Sequence, residues 1–506
     1  MKQITFNCLC IVLLFLSTIS NSYAQQRTCG STIEQWNKIK QTSYYKQVLR
    51  DHALRLQQGK TAGINCSNDT FMVPVVVHIV YHTADENITD EQVQSQIDAI
   101  NEDYAIINAT SMDIPAAWQQ LKKDSKIRFC LAKRNPQSGN TNGITRTQTA
   151  LSVFSFQDIS IKYSNLGGQN AWPSSSYLNI WVCNLDPYLG YAAFPGTIPE
   201  EDGLVINYQA FGRTGANRKK KYNLGRTVTH EVGHWFGLLH VWGNSDDCSD
   251  DDGINDTPLQ ASSTFGSPKY PKYDNCTSNG DGIMFTNYMD YSDDKVMMFF
   301  TPDQISEMDT TIQSDFRDSI CNSMGCILPF QLSQDLELEE IISPVTTSEQ
   351  RCFQPIVRVR NNGLDSATHF QLVYNIDSGE KRLYQWTGIL LSGNAVDVTL
   401  PNIAGVDGLN IIEARILEED SNTVNNYRSR SYKVTKENTA GCDDCAPVIY
   451  PNPVTTNSFC VKSCFITSDK LTIRVLNMLG QKIIEEKDID SNPGDVFPIN
   501  LAIFLL

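Results

Sequence analysis

Eleven residues, His230 to His240, read HEVGHWFGLLH and restrict the fold more than any other part of the chain. His230 and His234 are four apart, so a helix puts both rings on one face, a turn apart. Gly237 follows one turn later, and glycine lets a chain leave a helix through a left-handed conformation. That exit can turn His240 back towards the first two rings. Two imidazoles at this spacing can bind one Zn²⁺. A third from His240 leaves one position open, the pattern of a catalytic rather than a structural zinc site. Glu231 sits beside the pair, placed to act as general base on a zinc-bound water. A helix is expected here on separate grounds, because Leu224, Val228, Val232, Phe236 and Leu239 recur at helical spacing. Two histidines and a glutamate at this spacing also arise by chance. The glycine and the third histidine, which bring three of the chain's seven histidines into one stretch, argue against chance.

The full pattern HExxHxxGxxH resembles the zinc signature of the metzincin metallopeptidases. Downstream, FTNYMDYSDD resembles that clan's Met-containing turn, with Met289 as the turn methionine and Tyr291 two residues on. The stretches LNIWVCNL, LGYAAFPG, DGLVINYQAFG, CSDDDGINDTPLQ, NYMDY and FFTPDQ are similar to the pappalysin family. The resemblance covers residues 70 to 325. It implies a zinc endopeptidase of two subdomains flanking a horizontal cleft, acting on protein or peptide substrates. It implies that Met289 packs beneath the zinc and that Tyr291 assists the transition state. By themselves, Met289 reads as core and Tyr291 as a surface aromatic.

The 506 residues suffice for two to four domains. A net charge of −16 argues against a nucleic-acid partner, which requires basic patches. Residues 1–24 read as a secretory signal, with Lys2, an apolar run from Cys8 to Leu16, and small residues up to Ala24. That run is too short to span a membrane, and no later stretch is long and apolar enough. Export into an oxidising compartment favours disulfides. Setting aside Cys8 and Cys10, thirteen of the fifteen cysteines remain, an odd number that requires at least one special thiol.

Residues 25–70 read as a pro-segment opening Arg27-Thr28-Cys29-Gly30-Ser31, with Arg50, Arg55 and Lys60 as cleavage points. Related proenzymes carry a comparable Cys-Gly motif, which implies that Cys29 is a latency switch whose sulfur takes the open zinc position; the alternative is a plain Cys29–Cys66 disulfide. MVPVVVHIVYH is a buried strand in which His78 and His82 belong to the core or its edge. ITDEQVQSQIDAINEDYAI is a helix with a Thr89/Gln92 capping box. Cys130 and Cys183 read as buried thiols. Asp246 to Asp256 holds six aspartates in eleven residues, which repel unless neutralised; Ca²⁺ suits such a loop, although the spacing is not that of an EF-hand. Related pappalysins bind calcium in this region, which makes Asp252, Asp256 and Thr257 the candidates. Cys248 and Cys276 bracket the loop and are expected to pair.

The expected fold is an α/β (α+β) metzincin-like peptidase domain over 71–326, then an all-β Ig-like domain over 327–435 serving as spacer or adhesion module. A linker over 436–446 and a small β-sandwich over 447–506 follow. VIYPNPVTTN and LTIRVLNMLGQKI in that last unit resemble the C-terminal sorting domain of type IX secretion cargo, implying that machinery as a partner, although FPINLAIFLL departs from the usual end. Cys442, Cys445, Cys460 and Cys464 read as two disulfides rather than a zinc knuckle. The functional reading is a secreted zinc endopeptidase made as a zymogen. The alternative is a cell-surface binding protein with an inactive peptidase-like domain.

Overall fold

β1 (Phe71–Tyr81) is buried at every position from Val73 to Val80, so it requires cover on both faces and a strand on each side. A computed structural model describes residues 27–57, 70–156, 158–215, 218–243, 248–329, 332–349, 351–417 and 422–435, with the backbone of five strands between 448 and 500. The signal segment, the linker, Cys66, Asp246, Cys442, Cys445 and Cys464 lie outside the described residues.

The N-terminal stretch, expected to be a pro-segment, contributes α1 (Ile33–Gln41) and α2 (Ser43–Gln57). In the peptidase part, α3 (Asp90–Tyr104) follows β1. After it come β2 (Ile127–Leu131), β3 (Ile144–Gln148), β4 (Leu178–Cys183), β5 (Gly190–Ala192) and β6 (Gly203–Asn207), then α4 (Arg226–Trp235) and α5 (Pro302–Ile312). The sheet runs β2-β1-β4-β6-β5, with β3 beside the second half of β1; only β5 is antiparallel. Val93, Ile97, Ile100 and Tyr104 of α3 share one core with Val228 and Val232 of α4. The capping box at Thr89 is only half made. Thr89 Oγ1 accepts from Gln92 N at 3.2 Å, but the Gln92 side chain donates to Phe211 O at 2.9 Å. Cys130 is not a free thiol: it is bonded to Cys326, 196 residues away, tying β2 to the segment after α5. Cys183 is free and buried.

The next unit contains β7 (Leu336–Ser343), β8 (Thr347–Ser348), β9 (Cys352–Phe353), β10 (Ile356–Asn361), β11 (Ala367–Ile376) and β12 (Arg382–Leu390). It continues with β13 (Ala395–Thr399), β14 (Ile403–Ala404), β15 (Gly408–Ile416) and β16 (Tyr427–Val434). Sheets β13-β10-β7 and β12-β11-β15-β16-β8 enclose one core between them, including Val357, Val359, Phe370, Trp386, Ile412 and Tyr432. This unit packs on α3 rather than standing apart. Arg213 donates to both Glu102 oxygens at 2.6 and 2.7 Å and to Ser429 O at 2.7 Å, and Ser429 N donates to Asp98. Beyond it, β17 (Val448–Tyr450), β18 (Ser458–Lys462) and β21 (Val496–Asn500) form one small sheet, and β19 (Asp469–Leu476) pairs with β20 (Lys482–Ser491).

Candidate active site

α4 is buried along its whole length and carries the histidine pair. Gly233, inside it, costs about 1 kcal/mol against alanine in a helix. Its reason is packing: a Cβ there would lie 2.5 Å from Met289 Sδ. Met289 is fully buried and packs against this turn of the helix. The helix ends at Trp235, and Gly237 takes φ +94°, the left-handed exit that returns His240. The three Nε2 atoms converge, with His234 3.2 Å from His230 and 3.1 Å from His240. On the far side of the rings, His230 Nδ1 donates to Tyr288 O and His234 Nδ1 to Leu238 O, both at 2.7 Å. These bonds fix the tautomer and aim a lone pair inward.

Cys29 joins the cluster. One ligand atom from each of Cys29, His230, His234 and His240 lies within 4.8 Å of the others. Cys29 is a free thiol. Thr28 O accepts from Leu189 N at 2.9 Å and Gly30 N donates to Gly190 O at 3.0 Å, so the segment lies beside β5 as a parallel strand. The close approach at Gly30 is to a ring and not to the histidine cluster: a Cβ there would meet Phe156 at 2.5 Å. Cys29 Sγ and Ser31 Oγ both donate to Glu231 Oε2 at 3.3 Å. Tyr291 OH donates to Cys29 O at 3.4 Å.

Burial lowers His234 to about 4 and holds His230 and His240 well below the ordinary imidazole range, so all three rings are neutral. Neutral imidazole is the form that binds metal. Burial also pushes Glu231 up to about 8, against hydrogen bonds from Cys29 and Ser31. The donor set fits zinc: three imidazole nitrogens and one sulfur, all buried, around one point.

Arg27 fills a second buried pocket two residues from Cys29. Its guanidinium pairs with Asp294, donates to Thr227 Oγ1 and Ser292 O at 3.3 Å, and stacks over Tyr222 at 4.9 Å.

The family model described as pregnancy-associated plasma protein-A, Peptidase_M43, matches residues 163–313. An extracellular metalloprotease of Arthroderma otae is 30% identical over 309 residues, 58% of this chain and 94% of that protein. One from Arthroderma benhamiae is 29% identical over 303 residues, 59% of this chain and 94% of the relative. Mature mirolysin of Tannerella forsythia, solved with a cleaved peptide, is 46% identical; the match covers 52% of this chain and 98% of that one, with a TM-score of 0.50. A promirolysin mutant from the same organism is 43% identical over 58% of this chain and 97% of its own, with a TM-score of 0.51. This chain belongs to the pappalysin family of metallopeptidases. Its mixed α/β peptidase core matches that of mirolysin.

In this pappalysin, Cys248 and Cys276 are bonded across the acidic loop. Within it, Thr257 Oγ1 donates to Asp252 Oδ1 at 2.8 Å, and Asp256 Oδ2 accepts from Asp303 N at 3.0 Å. Asp252 Oδ2 and Asp256 Oδ1 are buried with no hydrogen-bond partner among the described residues. Burial raises Asp252 to about 7. His78 binds Thr145 and Asn179 within the sheet and stands outside the cluster. Sequence reasoning gave no role to Asp294, Ser31 or Tyr288. Asp294 stands five residues beyond Met289, and its only sequence cue was an acidic residue in the turn already singled out.

Proposed function

We propose that this metallopeptidase is a zinc-dependent endopeptidase, made as a zymogen, that cleaves proteins beside basic residues. The observation that carries the reading is the convergence of His230, His234, His240 and Cys29 with Glu231 at 3.3 Å from the sulfur. His230, His234 and His240 would hold the zinc, which supplies Lewis acidity at that point. Glu231, buried and in no ion pair among the described residues, takes the proton from the attacking water and later passes it to the leaving amine. Tyr291 turns its hydroxyl from Cys29 O to the developing oxyanion. Leu189 N and Gly190 O, which pair with the pro-segment here, pair with substrate backbone after it leaves. Met289 fills the space beneath the helix and holds it in place.

Arg27 marks a subsite in this reading. A buried carboxylate whose ion-pair partner among the described residues is Arg27 selects an arginine or lysine side chain of a substrate once the pro-segment departs. In the latent chain Arg27, Cys29 and Ser31 occupy the basic subsite, the fourth metal position and the general base together. Cleavage between Arg50 and Phe71 would release them.

The signal segment and the relatives' extracellular character support secretion, and the terminal motifs support type IX export. The two-sheet unit reads as an Ig-like sandwich. The partnerless oxygens of Asp252 and Asp256, with Thr257, support a Ca²⁺ site.

Glu231→Ala decides the catalytic assignment. It should keep the metal and lose peptide cleavage by several orders of magnitude, because the proton acceptor is gone. Near-normal turnover would remove Glu231 from the mechanism. A peptide library with and without a metal chelator reads the subsite, and Asp294→Asn should erase the basic preference while leaving metal content unchanged.

A further inference from the structure

Two of the three histidines are oriented by backbone carbonyls of described residues. His240 lies past the helix, in a turn closed by Gly243 N donating to His240 O at 2.9 Å. No described residue accepts a hydrogen bond from its Nδ1. Its ring lies flat on the indole of Trp242 instead, with centroids 4.4 Å apart and planes 5° from parallel. The same indole meets the ring of Tyr291 edge-on at 4.7 Å and 77°. Tyr291 in turn meets His240 edge-on at 5.0 Å and 80°. The three rings close a triangle, and two of its corners are the third ligand and the tyrosine.

We propose that Trp242 is a positioning residue that sets the ring plane of His240 and the rest position of Tyr291 together. This rests on the zinc-peptidase reading above. A flat aromatic neighbour restricts the rotation of an imidazole about its Cβ–Cγ bond by stacking, a geometry that aromatic pairs favour. The indole edge also limits how far Tyr291 can swing when Cys29 leaves. One side chain therefore couples how firmly metal is held to how the hydroxyl is aimed. Groups that orient a metal ligand affect affinity or activity by about 10- to 100-fold when removed.

The competing account is that Trp242 only fills space against the main core, which it also touches. Trp242→Phe and Trp242→Leu separate the two, since both fill much of the site and only phenylalanine stacks. Metal affinity is read by competition with a chromophoric chelator, and ligand geometry by the visible spectrum of the Co²⁺-loaded chain. Both use the unprocessed full chain in a Glu231→Ala background, so that it remains uncut. Kinetics use the processed enzyme with Glu231 intact. Trp242→Leu should bind metal about 10-fold more weakly, shift the Co²⁺ spectrum, and lower kcat by about 10- to 100-fold with KM near wild type. Trp242→Phe should recover most of each. Equal behaviour of the two variants, a loss in metal affinity or kcat without the other, or a change confined to KM or to melting temperature overturns the proposal. The metal and spectral readings need no turnover, so they test Trp242 even if Glu231 proves not to be the base.

Discussion

His78 on β1 and His234 on α4 are equally buried and equally hard to protonate, both lowered to about 4 by desolvation. Only one of them looks like a metal ligand. His78 has both ring nitrogens engaged, Nδ1 with Thr145 Oγ1 at 2.7 Å and Nε2 with Asn179 Oδ1 at 3.0 Å. His234 has one nitrogen on a carbonyl and the other facing two more imidazoles. The carboxylates divide in the same way. Glu102 is closed by Arg213 and Ser431, whereas Asp252 and Asp256 each keep a buried oxygen without a partner among the described residues. Burial alone does not mark a reagent; what each buried group is bonded to separates His234 from His78.

The sharpest way to break this comparison is to change both histidines alike. His234→Gln should remove the metal and lower activity by several orders of magnitude. His78→Gln should keep metal content and turnover per folded molecule, and cost about 1–3 kcal/mol of stability through imperfect pairing with Asn179 and Thr145. Metal analysis and denaturant melts of the two variants read this directly, and loss of metal from His78→Gln would refute the division.

A smaller effect should come from the closed cluster at the sandwich. Arg213→Ala leaves Glu102 buried without its cation, which costs about 3–5 kcal/mol for a pair of this kind. Hydrogen exchange should show α3 and β16 loosening, while the cleaved-peptide pattern stays as in wild type. Protection of that interface equal to wild type would mean that Arg213 does not hold this unit to α3.

The zinc helix was legible because its information is local: spacing, a glycine and an apolar stripe within eighteen residues. The Met-containing turn was legible through resemblance. What escaped was long-range. Arg27 and Asp294 meet across 267 residues, and Cys130 and Cys326 across 196, and no local pattern announces either pairing. Gln92 shows a subtler failure. The capping signal at Thr89 was correct for its hydroxyl, but tertiary structure offered the Gln92 amide the carbonyl of Phe211. Trp242 has no cue at all, and Ser31 only its place beside Cys29 in the opening motif, since a serine and a tryptophan gain meaning only from what stands opposite.

The acidic loop belongs with the open sites, and calcium should therefore act on it. Binding to the folded state alone stabilises by about 2.7 kcal/mol at a ligand concentration a hundredfold above Kd. Melting temperature should rise by several degrees in millimolar Ca²⁺, and Asp252→Asn or Asp256→Asn should remove that rise. A melt unchanged between Ca²⁺ and a calcium-selective chelator would place this loop among the closed clusters.

The finest test is the pH dependence of the closed histidine. In the unfolded chain His78 takes up a proton near 6.5, and in the folded chain near 4. Between those values the unfolded state binds more protons, so folding is favoured less as pH falls. The contribution is fully present above about pH 6.5 and is lost progressively towards pH 4. By pH 6 it should amount to about 1 kcal/mol relative to pH 8. Comparing wild type with His78→Gln cancels whatever the other titrating groups contribute. The two stability curves should run parallel above neutrality and converge on acidification, because only wild type carries this penalty. Curves that stay parallel down to pH 5 would mean that His78 is protonated in the fold, that Asn179 and Thr145 accommodate the cation, and that the site is less closed than its geometry indicates.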